Sequence, residues 1–234
     1  MKKLMWIVSF FSLIGTVAVL QFLPETIPMH YDTHWNVDRW GSRNESLIFP
    51  VLILAMSLFW QLFLLYYEKK ARDSKDEKTA AEAASNAKVI AVVGLCQAVF
   101  FTVMHGVILY GSYIQAVNGL TKQTVDTGRI TLIGMGILFI ILGNIMPKTR
   151  INGVVGFRIS WSMYNDTTWK KTNRFGAITL MIAGVLTILL AAITKNSVAA
   201  TFASIGLLIL ATIVTLIYAH KVYVAELKSE KGDL

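Results

Sequence analysis

The chain is poor in cysteine and in charge. It has one cysteine, Cys96, and that residue sits in an apolar run, so neither a disulfide framework nor a cysteine metal site is available. Charged residues make up only 15% of the 234 positions, and the long apolar runs contain no Asp, Glu, Lys or Arg. Ionisable groups inside a span mark proton relays and ion-coupled transport, so their absence argues against a proton-coupled transporter. No His-Glu-x-x-His pattern occurs, which leaves a zincin-type peptidase unsupported.

What is present is apolar mass. Hydrophobic residues reach 55% and the mean hydropathy is +0.57, too apolar for an ordinary soluble domain. A helix needs about 20 apolar residues to cross a hydrocarbon core of roughly 30 Å. Six runs qualify, at 4–23, 47–67, 89–113, 130–146, 175–194 and 198–219. They are continuous rather than alternating, which selects helices over a barrel. The expected fold is an all-α integral membrane protein with six transmembrane helices. The first run follows Lys2 and Lys3, is long for a signal-peptide core and has no Ala-x-Ala-like cleavage site before Pro24, so it is read as a retained helix.

The net charge of +8 does not point to nucleic acid, because the cations punctuate apolar runs instead of gathering on one polar surface. With the N-terminus inside, all but Arg39, Arg43, Lys122, Arg129 and Lys195 of the 22 Lys and Arg fall on the cytoplasmic side. That bias places both termini in the cytoplasm. Trp6, Tyr66, Tyr67, Tyr110, Tyr113 and Tyr218 fall at run ends, where amphipathic rings favour the headgroup region. The expected organisation is a transmembrane hairpin over 1–67 with an outside loop at 24–46, a charged cytoplasmic linker at 68–88, and a four-helix unit over 89–234 with an inside loop at 147–175. The linker alternates charge with alanine from Lys75 to Lys88 and reads as a solvated helical spacer.

Within the runs, His105 and Asn144 are the polar exceptions and suit interhelical hydrogen bonds, and Gly136 and Gly143 suit close helix packing. The outside loop is dense in His, Asp and Trp. His30, Asp32 and His34 alternate, so an extended segment sets all three on one face. Two readings stand there: a zinc site, since these are ligand types zinc prefers, or loop-closing hydrogen bonds with no cofactor. Trp35 and Trp40 suit an interface anchor or a peptide-recognition surface.

The inside loop carries more than topology requires. Pro147 ends a helix, and Gly153 and Gly156 permit turns that other residues resist. From Asn165 onward the cap residue, Trp169 and the following cations suit a short helix lying at the interface. Its functional reading is a docking surface for a cytoplasmic protein or a lipid phosphate, with Arg158 and Arg174 as bidentate donors.

Residues 144–176 resemble the signature of SdpI-like bacteriocin immunity proteins. The matching positions are Gly143, Asn144, Pro147, Lys148, Arg150, Asn152, Gly156, Arg158, Trp161, Trp169, Thr172, Arg174 and Gly176. Residues 24–46 resemble a domain of unknown function of the Pro-x-His type often found ahead of that module, through Pro28, His30 and Asp38, with Trp40, Gly41 and Ser42 following. The chain departs from the family at Ile159-Ser160-Trp161, where Thr-Pro-Trp is usual, and at Asn173, where the family has histidine. The resemblance implies a non-enzymatic immunity protein of a bacterial plasma membrane that protects its producer from a secreted membrane-active peptide toxin. It also implies retention of a cytoplasmic transcriptional repressor at the membrane, with no direct nucleic-acid contact by this chain. The toxin-facing candidates are Pro28, His30, Asp32, His34, Asp38, Arg39 and Trp40. The docking candidates are the inside-loop matches from Asn144 to Arg174, together with Asn173. The competing reading is a metal- or lipid-phosphate-binding membrane enzyme or lipid handler.

Overall fold

The computed structural model describes residues 1–152 and 154–232; Gly153 lies outside the described residues. Among the described residues six helices are long and apolar enough to cross a membrane, as expected. They are α1 (Lys2–Leu20), α2 (Ile48–Asp73), α3 (Glu77–Asn118), α4 (Thr127–Ile145), α5 (Asp166–Ile193) and α6 (Ser197–Gly232). Between α1 and α2 the chain forms an antiparallel hairpin, β1 (Thr26–Tyr31) and β2 (Val37–Ser42), in place of the expected loop.

The helices form two compact units that do not follow chain order. The first joins residues 1–62 to 91–131. Here α1 turns Met5, Ser9, Ser12, Thr16 and Leu20 inward, while Ile7, Phe11 and Ile14 stay exposed. This is the arrangement lipid demands, because Leu and Ile gain nothing by leaving hydrocarbon, whereas small and hydroxylated residues permit close approach and hydrogen bonds. Ser9 Oγ meets Ser57 Oγ at 2.7 Å, and Thr16 Oγ1 meets His105 Nε2 at 2.9 Å with the imidazole stacked on Phe49. His105 therefore makes the interhelical bond expected of it. Leu20, Leu23, Ile27 and Leu109 close this unit under the hairpin.

The second unit joins 63–90 to 132–234. Here α4 and α5 cross closely: a Cβ added to Gly136 would come 2.6 Å from Gly184 O, and one added to Gly184 would come 2.6 Å from Gly136 O. Backbones this close exclude any side chain, so both glycines are packing residues, as is Gly143 against Ala177 O. Asn144, by contrast, makes no interhelical bond; it is exposed and accepts from Lys148 Nζ at 3.2 Å.

Two expectations are corrected in this unit. The linker is not a solvated spacer throughout, because α2 runs on to Asp73, α3 starts at Glu77, and Ala83, Asn86 and Ala87 are buried. Nor is there a separate interface helix after Asn165. Asn165 caps α5 itself, its side chain accepting from Thr168 N while Thr168 Oγ1 accepts from Asn165 N, and α5 then continues unbroken to Ile193. A cap placed this close to an apolar run extends the spanning helix instead of starting a new one.

Candidate functional site

The hairpin is a built platform. Strand β1 pairs with β2 from Thr26↔Ser42 to Tyr31↔Val37, with irregular register around His30. Its turn is closed by Asp32, whose Oδ1 accepts from His34 N and Asn36 N, both at 2.8 Å, and whose Oδ2 accepts from Asn36 Nδ2 at 3.1 Å. These bonds, led by the one from the Asn36 side chain, hold the Asp32 carboxyl below the usual carboxylate range. Trp35 sits at φ 64°, a left-handed conformation that a bulky residue resists. It is held there from both sides, Trp35 N donating to Asp32 O and Gln123 N donating to Trp35 O.

The hairpin is tied down at a point the sequence reading missed. Gln115 of α3 is fully buried; it accepts from Tyr31 Oη at 2.6 Å and donates to Lys122 O at 3.0 Å. Residues 121–123 then lie against the turn, through Val37 N to Thr121 O and an isolated bridge between Asn36 and Lys122. Burial raises the Tyr31 phenol above its ordinary value, so it stays a neutral donor to Gln115.

On this platform Pro28 is buried, while His30, Asp38, Arg39 and Trp40 stand exposed. His30 Nδ1 pairs with Asp38 Oδ1 at 2.7 Å, and Arg39 Nη2 donates to Glu45 Oε2 at 2.8 Å. Glu45 also closes a capping box with Ser42 at the turn leading into α2. The three residues proposed as zinc ligands do not converge: the His30 ring faces Asp38, the Asp32 carboxylate is spent on the turn, and the His34 ring lies against the Thr33 hydroxyl. No group of three His, Cys, Asp or Glu among the described residues is disposed to hold a metal ion. Alternation put the ligands on one face only if the segment stayed extended, and the turn at 32–36 breaks that face.

The segment 146–165 and the first turns of α5 form a second constellation, in the second unit. A short 3-10 turn, Met146–Lys148, follows α4. Trp169 is 1% exposed and donates its indole N–H to Thr149 O at 2.8 Å. Asn173, also buried, accepts from Phe157 N at 2.7 Å and donates to Trp169 O at 3.1 Å. Asn152 knots the loop start, accepting from Val154 N and Val155 N and donating to Arg150 O and Val155 O. Gly156 has φ 120°, and a Cβ there would meet Asn173 Oδ1 at 2.6 Å and the Trp169 ring at 2.9 Å. Asn152, Gly156, Trp169, Thr172 and Asn173 are thus the loop's own framework, facing inward, and not its outward contacts.

The other candidates face outward. Asn144, Pro147, Lys148, Arg150, Arg158 and Arg174 are exposed, and Trp161 is half-buried with its edge on His220. The far end of α6 braces the loop: Asn165 Nδ2 donates to Glu226 Oε1 and Tyr164 Oη to Glu230 Oε2. Lys78 pairs with Asp166 at 3.1 Å, which raises the lysine above its ordinary value.

Two stretches of the chain match family models. Residues 148–219 match the SdpI/YfhL protein family, and residues 7–54 match a domain of unknown function, DUF1648. The chain is also 23% identical over 212 residues to the Immunity protein SdpI of Bacillus subtilis (strain 168), an alignment that covers 91% of this chain and 90% of that protein. No solved structure matches it. The expected resemblance to SdpI-like proteins holds, and with six spanning helices the chain is a multi-pass protein of a bacterial plasma membrane.

Proposed function

We propose that this SdpI-like membrane protein is an immunity protein that binds a secreted, membrane-active peptide at its hairpin and performs no chemistry on it. The observation that carries this reading is the alignment with the Bacillus subtilis immunity protein across both units. The hairpin supports it further. A loop needed only to connect two spans would not require a capping box, a closed turn and a buried glutamine beneath it. A rigid platform presenting an aromatic ring and paired charges is what peptide recognition uses, because fixing the surface beforehand lowers the entropy lost on binding. The experiment is survival: a toxin-sensitive bacterium expressing this chain should tolerate a membrane-active peptide that kills the strain carrying the empty vector.

This function needs the hairpin outside, the side the charge bias assigns to it. In a Cys96→Ala background, cysteines introduced at Thr33 and Lys122 should be labelled by an impermeant thiol reagent on intact cells. Cysteines at Lys75 and Thr167 should be labelled only after lysis. The opposite pattern would exchange the roles of the two constellations.

The loop at 146–165 is proposed to retain a transcriptional repressor, with Arg158 as the main contact, exposed and close in sequence to Trp161. A guanidinium grips a carboxylate through two parallel bonds, and an ammonium cannot. A reporter driven by the protein's own promoter should rise on peptide exposure in the parent and reach about a tenth of that response in Arg158→Lys, the loss of one charge-assisted bond. An undiminished response in Arg158→Lys would return Arg158 to a topological role.

A further inference from the structure

A groove of about 700 Å³ runs along α5 in the second unit, lined by Gly143, Asn144, Pro147, Lys170, Arg174, Ala177, Ile178 and Met181. Its two ends differ in chemistry. Lys170 and Arg174 stand one turn apart on the same helix face and are exposed. Asn144 lies across from them and takes Lys148 Nζ, so a third cation sits at the same rim. Past Arg174 the apolar run of α5 begins, and the rest of the lining is Ala177, Ile178 and Met181 against Gly143. From Lys170 to Met181 the helix rises about 16 Å, the depth of a headgroup plus the upper part of an acyl chain.

Among the described residues the cations have no internal counter-ion. No acidic residue lines the groove, the nearby Asp166 is engaged by Lys78, and among the described residues neither Lys170 nor Arg174 pairs with a carboxylate. Like charges four residues apart on a helix repel. A shallow slot that is cationic at the membrane surface and apolar toward the hydrocarbon fits an anion that carries its own apolar tail.

We propose that this groove holds one anionic phospholipid, its phosphate accepting hydrogen bonds from Arg174 and Lys170 and one acyl chain lying over Gly143, Ala177 and Met181. A soluble protein would leave the apolar end unfilled, and a zwitterionic lipid would bring its own cation to the three already there. Arg174 thereby has a role separate from Arg158, which does not line the groove. The site uses no residue of the hairpin, so it stands whether or not the hairpin meets a peptide.

The test is native mass spectrometry of the full chain in a neutral detergent, with phosphatidylglycerol and phosphatidylcholine of identical acyl chains. One phosphatidylglycerol should be retained per protomer, about tenfold more strongly than phosphatidylcholine. Retention should fall about tenfold in Lys170→Gln with Arg174→Gln, and should stay at the parent level in Lys221→Gln with Lys228→Gln, which removes two exposed cations of α6. Ile178→Trp, which fills the apolar end without touching charge, should also lower it. Equal retention of the two lipids, or an unchanged Lys170→Gln, Arg174→Gln variant, would overturn the site. Displacement of the lipid by excess inorganic phosphate would show a free-anion pocket and would overturn it too.

Discussion

Trp169→Ala should be the most damaging single change in the second unit, at about 3–5 kcal/mol, the usual range for emptying a fully buried tryptophan site. Three losses coincide there. The cavity opens where the indole packs beside Gly156, the Thr149 carbonyl loses its donor, and Asn173, which donates to Trp169 O, loses the wall that orients it. Without that wall the Phe157 amide is left unpaired, so the loop between α4 and α5 opens as a piece. The check is limited proteolysis with the melting temperature of purified protein: cleavage at Arg150 and Arg158 should become fast in Trp169→Ala. Trp169→Phe keeps most of the volume but not the N–H, and should fall between the two. Parent-like resistance in Trp169→Ala would mean that the loop is held by something other than this framework.

Gln115→Leu should be the counterpart in the first unit. Leucine fills the space but neither accepts from Tyr31 Oη nor donates to Lys122 O, and each hydrogen bond lost to these half-buried and exposed partners costs about 0.5–1.5 kcal/mol. The helices should be unaffected, because the bonds lost join α3 to the hairpin and to the loop that backs its turn, and not span to span. Trypsin access at Arg39 and Arg43 should therefore rise several-fold while membrane abundance stays at the parent level. Resistance to peptide should fall with it, since the platform would no longer be fixed before binding. Unchanged trypsin access would show the hairpin to be self-supporting.

The spans were legible because hydrocarbon tolerates only long apolar helices, so composition alone reports them. The hydroxyl stripe of α1 leaves little trace in composition. Ser9, Ser12 and Thr16 carry no charge and do not interrupt an apolar run, although their spacing along one helix face was there to be seen. The tie between Tyr31 and Gln115 joins residues 84 positions apart, and no local pattern records such a contact. The hairpin is hidden for a different reason: the density of His, Asp and Trp marks the segment as a ligand surface and masks the strand signal in Thr26–Tyr31. In the second constellation the motif reported which residue types occur and not which way they face. Asn173 illustrates this: it stands where the family has histidine, and its buried amide spends one acceptor and one donor, both of which a neutral imidazole also offers.

The central claim, peptide recognition by the hairpin, is tested most directly by survival of a toxin-sensitive bacterium across a panel of purified membrane-active peptides. The strains compared would express the parent, His30→Ala with Trp40→Ala, or empty vector, the two proteins at matched membrane abundance. His30 and Trp40 are exposed, and neither takes part in the turn or in the Gln115 tie, so their replacement should leave the fold intact. The account predicts that the parent raises the tolerated concentration of at least one peptide and that the double variant loses most of that gain, with a drop of about tenfold or more, the scale of an aromatic anchor and a paired imidazole lost together. A double variant that protects as well as the parent, or a parent no better than empty vector against every peptide, would contradict it.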